Sequence, residues 1–435
     1  MAFPVLVIGL LGLVVIAQSV MALRRDRAIS PLQTMLLALL VAVSQLGPSY
    51  VGALLLGGAA ATVTQVLVLG LVLAMCIVRT SEEVQENSSR NRGISPASLI
   101  LAVVVVMFVV NLVSVSDRGF GELLVRILAV AAAAGLVYLT RSQSIAMPVL
   151  SAATALAFGL SALSSWISPE PTRACSQFKC GPFGFQVRGP FDNENAFGFL
   201  AVVAILLIFN SADRRLRYSV WILGAFVLYA TESRTSQISV ACGLVVIIVW
   251  RFFPRDLVRL ARAVLVLLPT AIAALGMHLV YSASPSEFSN RGIIWSFGRM
   301  ALGDQWLLGR GLDSWSIDAL DRSYMHSQYF LFVYSAGVFS LLLFVGALTF
   351  ALAEVSSRRE DGANVAVIVA VLVMGVTELV WNPLGIERGM LVGIALLAIF
   401  YELRRRREGL ENPHSEVVER GDRRTRPSDN RGANR

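Results

Sequence analysis

Apolar runs of about 16–24 residues recur along this chain, and they restrict its fold more than any other feature. Each run is long enough to cross the hydrocarbon core of a bilayer, about 30 Å thick, as an α-helix. Charged residues make up only 15% of the 435 positions, against roughly a quarter in soluble domains. The pattern excludes an ordinary soluble enzyme and a disordered chain. It predicts an all-α fold, a polytopic transmembrane helix bundle.

The apolar runs and the polar breaks between them define thirteen candidate spans, so we expect about 12–13 in all. They are roughly residues 2–23, 31–47, 55–78, 98–116, 122–140, 144–163, 196–211, 218–232, 236–250, 261–281, 328–352, 363–381 and 389–403.

The placement of Lys and Arg predicts the orientation of these spans. Putting the turn at Arg24 in the cytoplasm places twenty basic residues in cytoplasmic turns and eleven in longer external loops. The N-terminus is then outside and the C-terminus in the cytoplasm. The net charge of +8 does not indicate nucleic-acid binding, because the excess lies beside predicted spans and lacks a basic face with interleaved aromatics.

Two predicted external segments and a polar tail divide the chain. We divide it into residues 1–163 (N-terminal spans), 164–195 (external loop with two Cys), 196–281 (central spans), 282–327 (large external loop), 328–403 (C-terminal spans) and 404–435 (a disordered cytoplasmic tail).

Both external segments are too long to be simple connections. In the second, apolar residues recur at helical spacing, which predicts a short amphipathic helix in the outer membrane interface. They are Ile293, Ile294, Phe297, Met300 and Ala301. The first segment holds Cys175 and Cys180, for which a disulfide, two free thiols and a metal pair remain open.

Ionisable residues gather at the predicted outer ends of the spans and leave the centres nearly free of charge. This placement favours chemistry at the outer leaflet over conduction through the membrane. The candidates are Arg188, Arg234, Arg291 and His326. Guanidinium groups suit a diphosphate, and a His can accept a proton from a sugar hydroxyl near neutral pH. The alternatives are interfacial anchoring for each Arg and structural hydrogen bonding for His326.

Four ordered motifs resemble the O-antigen ligase and O-antigen polymerase family of membrane glycosyltransferases. They are RGPFDNENAFG at a span entry, SRTS in a short turn, RGIIWSFGRMALGDQWLLGRGLDSW, and HSQYFLFVYSAGVFSLLLF after the longest loop. Together they cover roughly residues 188–345, whereas the first third of the chain matches only as hydrophobic helices.

The resemblance implies a metal-independent, inverting glycosyltransferase without cofactors in the bacterial cytoplasmic membrane. Its donor would be a glycan on undecaprenyl diphosphate, and its acceptor a hydroxyl of a polysaccharide or of the cell wall. His326 would activate that hydroxyl, while Arg188, Arg234 and Arg291 would bind the diphosphate. Supporting roles fall to Asn193, Asn195 and Tyr329 within the same motifs, although either Asn could instead cap a helix.

The sequence leaves other classes of function open. A polymerase and a ligase share these motifs, and the sequence does not separate them. A lipid-linked glycan flippase or other transporter would show polar mid-membrane residues and repeated halves, which we do not find in the sequence. A cell-wall scaffold protein is the third alternative. The sequence does not determine the sugar, the linkage or the oligomeric state.

Overall fold

A computed structural model describes most of the chain outside the region between the first two helices below. The described residues are 3–25, 96–114, 127–128, 130–131, 147–168, 170–175, 179–191, 193–312, 314–315, 325–355, 361–383 and 390–411. The predicted spans 31–47 and 55–78, nearly all of 122–140, and residues 412–435 of the predicted disordered tail lie outside them. The prediction of disorder is wrong for residues 404–411, which continue the last helix, because Arg, Glu and Leu are good helix formers.

The described residues are mostly helical, as predicted. The helices are α1 (Phe3–Arg25), α2 (Pro96–Ser114), α3 (Met147–Ser164), α4 (Glu194–Leu207), α5 (Arg214–Thr231), α6 (Arg234–Phe252), α7 (Arg255–Ser282), α8 (Glu287–Leu302), α9 (Gln328–Glu354), α10 (Gly362–Gly375) and α11 (Met390–Glu411). Among the described helices, six are long and apolar enough to cross a membrane: α1, α2, α3, α6, α7 and α9.

The two short helices α4 and α10 form the centre of the bundle, and nearly all of their residues are buried. α4 packs against α5, α6 and α3, and α10 packs against α6 and α4. The C-terminal end of α4 is also hydrogen-bonded to a neighbouring helix. The Ser151 hydroxyl of α3 donates to the Leu207 carbonyl over 2.7 Å. These contacts place the start of α4 and the end of α10 close to each other.

Helix α9 is interrupted at Ala336 and Gly337, where an uninterrupted helix was expected. Gly337 has a φ of 73°, and a Cβ there would collide with the Leu307 carbonyl oxygen. The carbonyls freed by the break accept hydrogen bonds from a loop, Arg310 N–H to Tyr334 O at 2.7 Å and Gly311 N–H to Ser335 O at 3.2 Å. The loop thus replaces the helical bonds that the break removes.

Helix α10 ends at Gly375, six residues before the end of the predicted span 363–381. The reason is the buried side chain of Gln328. Its Oε1 accepts from the backbone N–H groups of Val380 and Trp381 at 2.9 and 2.8 Å, and its Nε2 donates to the Trp381 carbonyl at 2.8 Å. These bonds hold residues 380–381 against the start of α9.

The predicted helix in the segment 282–327 is present as α8, but a different face of it is buried. Phe288, Ser289 and Asn290 have positive φ, so the regular helix starts at Arg291. The buried stripe is Gly292, Trp295, Gly298 and Leu302. The five apolar residues that predicted the helix are half-buried or exposed, with Met300 69% exposed.

A two-stranded antiparallel sheet is the one addition to the predicted all-α architecture in the described chain. It pairs β1 (Thr172–Ala174) with β2 (Phe185–Val187) in the segment between α3 and α4. Cys175 and Cys180 form a disulfide in the connection between these strands, with their Cα atoms 4.4 Å apart. The hairpin therefore carries its own covalent cross-link directly before α4.

Candidate functional site

Glu378 lies in the turn after α10, and its carboxylate is the point at which three predicted site residues meet. Its Oε1 accepts from the Arg291 guanidinium and, over 2.9 Å, from Asn195 Nδ2. Its Oε2 lies 3.7 Å from His326 Nδ1. The side chains of Glu378 and Arg291 are each 15% exposed and that of His326 is 26% exposed. The carboxylate is thus largely shielded from solvent and in contact with two basic groups.

Asn195 reaches this carboxylate from the first turn of α4. The Asn193 side chain caps that helix by accepting from Ala196 N–H at 2.9 Å. The Oδ1 of Asn195 accepts in turn from Lys179 at 3.1 Å, and Lys179 also forms an ion pair with Glu194 at 3.1 Å. Lys179 directly precedes the disulfide-bonded Cys180, so the hairpin is linked to the start of α4.

Arg291 begins the regular part of α8 and is held at two points. Besides Glu378, its guanidinium donates to the backbone carbonyl of Thr377. Farther along the helix, the buried Trp295 donates from Nε1 to the Met325 carbonyl at 2.8 Å. Helix α8 therefore positions both Arg291 and the segment that leads into His326.

His326 has a φ of 49°, in the left-handed region that side chains other than glycine rarely adopt. The residues on either side of it are fixed. Met325 accepts the bond from Trp295, and Ser327 caps α9 by accepting from Phe330 N–H. Residues held in this region persist when the surroundings over-determine them, and they cluster at functional sites.

Arg234 lies beside the cluster but does not bond to Glu378. It begins α6, and the next residue, Thr235, shares a 3.0 Å hydrogen bond with the Thr377 hydroxyl. The Arg234 side chain is 66% exposed, and its nearest acidic partner is Glu232 at 3.6 Å. Of the three predicted diphosphate-binding Arg residues, it is the one most open to a ligand.

Other predicted site residues have different partners. Arg188 donates to the carboxylate and the backbone carbonyl of Glu170, and it is not among the residues that contact Glu378. Tyr329 is fully buried, and its hydroxyl donates to the Leu372 carbonyl at 2.7 Å. Asn193 is used as the cap of α4.

Sequence reasoning missed Glu378 and Gln328 as parts of this site. Glu378 had one available signal, since it is an acidic residue at the end of an otherwise apolar run. Gln328 had none, because its role depends on residues 380–381, which are more than fifty positions away. Lys179 is the only Lys in the chain, but its contact with Asn195 was not foreseen either.

The arrangement places a candidate acid–base pair, His326 and Glu378, next to the positive charge of Arg291. The contact of His326 Nδ1 with the Glu378 carboxylate orients the imidazole. Arg291 donates to Glu378 directly, Lys179 is linked to it through Asn195, and Arg234 precedes Thr235, which bonds to the Thr377 hydroxyl. Among the described residues, no group of three or more His, Cys, Asp or Glu side chains comes together as a metal site.

Comparisons with known proteins found no match to the chain among protein-family models, curated proteins or solved structures. The resemblance to the O-antigen ligase and polymerase family therefore stays a prediction. It rests on the four motifs, and three of those motifs supply Asn195, Arg291 and His326.

Proposed function

We propose that this protein is a membrane glycosyltransferase of the O-antigen ligase or polymerase type. In this proposal it transfers a glycan from undecaprenyl diphosphate to an acceptor hydroxyl at the outer face of the bacterial cytoplasmic membrane. The observation that carries the proposal is the convergence of Asn195, Arg291 and His326 on Glu378, since residues from three separate motifs meet at one carboxylate.

The His326–Glu378 pair supplies the base in this mechanism. Because Glu378 lies at Nδ1, Nε2 is the atom that takes the proton from the acceptor hydroxyl. The acceptor oxygen then forms a bond to the anomeric carbon while the bond from that carbon to the diphosphate oxygen breaks. Undecaprenyl diphosphate leaves with the bonding electrons, and the anomeric configuration inverts.

In this proposal Arg291 and Arg234 have different roles, which the motifs alone do not predict. Arg291 already donates to Glu378 and to the Thr377 carbonyl, so its first role is to position the carboxylate. Arg234 is exposed and only loosely paired, which makes it the residue best able to bind the leaving diphosphate. Preorganised positive charge near a developing anion lowers the barrier to its departure.

The six long apolar helices support the membrane location on which this function depends. We propose a multi-pass topology with the N-terminus outside and the C-terminus in the cytoplasm, following the Lys and Arg asymmetry. The Glu378 cluster then faces the outer leaflet, where lipid-linked glycans and polysaccharide or cell-wall acceptors are available.

The size profile of lipid-linked glycans in cells tests the proposal. His326→Asn is the variant of choice, because Asn tolerates a left-handed backbone better than other residues without a base. Cells with equal membrane levels of the variant should accumulate single repeat units if the protein is a polymerase, and long chains if it is a ligase. An unchanged profile would contradict a catalytic His326 and favour a flippase or a scaffold.

A further inference from the structure

A pocket of about 540 Å³ lies at the end of the α5–α6 hairpin that is distant from Glu378. Helix α5 has eighteen residues, and it begins at the pocket with Arg214 and ends beside the candidate site with Thr231. At 1.5 Å per residue the two ends are about 27 Å apart, close to the thickness of a hydrocarbon core. The pocket is thus a separate feature from the proposed catalytic site.

Three guanidinium groups line this pocket, those of Arg214, Arg217 and Arg251. Within the described part of the chain, none of the three forms an ion pair with a carboxylate. Burial lowers the pKa of Arg217 from its usual value, and the charges of Arg251 and Arg214 lower it further. The pocket therefore holds three positive charges close together, and a bound anion would neutralise them.

Two nitrogen donors at the pocket are buried and have no hydrogen-bond partner among the residues that the structure describes. They are Nε of Arg217 and Nε1 of the indole of Trp221. Another nitrogen of Arg217 donates to the Ser211 carbonyl, which fixes the guanidinium in place. Buried donors are nearly always paired in folded proteins, so two unpaired donors at one pocket indicate an acceptor-rich ligand.

The remaining wall of the pocket is aromatic and aliphatic and continues onto an exposed apolar surface. The Trp221 ring packs against Phe209 and Tyr218, with ring centroids 4.9 and 5.9 Å away. Ile248 and Phe252 line the pocket on α6 and are 48% and 72% exposed. Trp and Tyr next to basic residues are typical of the head-group region of a membrane.

We propose that this pocket binds an anionic phospholipid, with its phosphate on Arg214, Arg217, Arg251 and Trp221 and its acyl chains along the exposed face of α6. The inference rests on the membrane location of the chain and does not depend on the proposed transferase activity. The continuous apolar flank favours a lipid over a free phosphate, because a soluble anion would leave that flank without a partner.

Native mass spectrometry of the full chain in detergent tests this site. The protein is incubated with phosphatidylglycerol and phosphatidylcholine that carry the same acyl chains. We expect wild type to retain phosphatidylglycerol at least about tenfold better, and Arg217→Gln/Arg251→Gln to lose that preference. The matched control is Arg215→Gln/Arg255→Gln, which removes two exposed cations outside the pocket and should leave the preference intact.

Three outcomes would overturn the proposal. They are equal retention of both lipids by wild type, a preference that the pocket variant keeps, and displacement of phosphatidylglycerol by inorganic phosphate alone. The last would identify a site for a soluble anion. If the double pocket variant does not fold, Trp221→Phe retains an aromatic ring and removes one donor, and it should weaken phosphatidylglycerol retention severalfold.

Discussion

Glu378 joins residues that are far apart in the sequence, and its charge is the residue-scale feature on which the candidate site depends. It contacts Arg291, His326 and Asn195 and is only 15% exposed. Removing one member of a largely buried ion pair leaves the other charge poorly compensated. The stability of the site and its chemistry are therefore coupled through this carboxylate.

We expect Glu378→Gln to lower the free energy of unfolding by about 2 kcal/mol, since Arg291 is then a largely buried cation without its counter-ion. Arg291→Gln alone should also destabilise, and the double variant should lose less than the sum of the two. Unfolding of the three variants in detergent measures the coupling. If the double variant loses as much free energy of unfolding as the two single variants together, the Glu378–Arg291 pair does not contribute to stability.

Glu232→Gln is the matched control for this experiment. Its carboxylate pairs with the exposed Arg234 at 3.6 Å, so we expect a loss of no more than about 0.5 kcal/mol.

Arg234 and Arg188 should differ in their effect on the transferase reaction. Arg234 is 66% exposed, whereas Arg188 is 19% exposed and donates to Glu170. We expect Arg234→Gln to lower kcat/KM for the lipid-linked donor by about 10- to 100-fold, and Arg188→Gln by much less. Initial rates at subsaturating donor would measure both, and equal losses would contradict the division of roles proposed for these cations.

At the scale of elements, the site is positioned by a helix that breaks and a helix that ends early. Gln328, at the start of α9, makes three hydrogen bonds to residues 380–381 and so fixes the turn that carries Glu378. The sequence predicts neither feature. The run 328–352 carries no charged residue, the run 363–381 carries only Glu378, and the groups that replace the helical bonds come from distant residues.

We expect Gln328→Met to destabilise the protein by about 2–4 kcal/mol, because it leaves backbone groups of Val380 and Trp381 buried without partners. The variant should also lower kcat more than it raises KM, since Glu378 is no longer held beside His326. Tyr329→Phe is the matched control. It removes one neighbouring bond, to Leu372, and should cost about 1 kcal/mol with activity retained. Loss of activity in both variants would contradict a specific role for Gln328.

At residue level, the sequence predicts the residues that form the candidate site better than the contacts that hold them in place. Asn195, Arg291 and His326 lie in recognisable motifs and meet as a cluster. Tyr329 lies in one of the same motifs, yet its hydroxyl contacts a backbone carbonyl in the core. A motif identifies residues that belong together but does not state which way a helical side chain faces.

At the scale of the whole molecule, the helices separate two sets of charged groups. The Glu378 cluster lies at one end of the α5–α6 hairpin, and the pocket with Arg214, Arg217 and Arg251 lies at the other. The apolar helix lengths support a bilayer between them. The two ends should therefore face opposite sides of the membrane.

Cysteine labelling tests this topology in a background in which Cys76 and Cys242 are replaced by Ser. The exposed Ser286, just before α8, and the exposed Ala212, just before α5, are each changed to Cys. We expect Ser286→Cys to react with a membrane-impermeant maleimide on intact cells, and Ala212→Cys only after permeabilisation. Labelling of both from the same side would contradict the topology.

Glycan transfer by the purified protein is the most direct measurement of the proposed activity. Full-length wild type and His326→Asn would be incubated with a lipid diphosphate-linked glycan and an acceptor glycan, and initial rates compared. If the proposed activity is correct, wild type transfers the glycan and the variant loses about 10²–10⁴-fold in rate, with an unchanged unfolding temperature. Equal rates for the two proteins, or no transfer by a folded wild type with either a polymerase or a ligase acceptor, would contradict it.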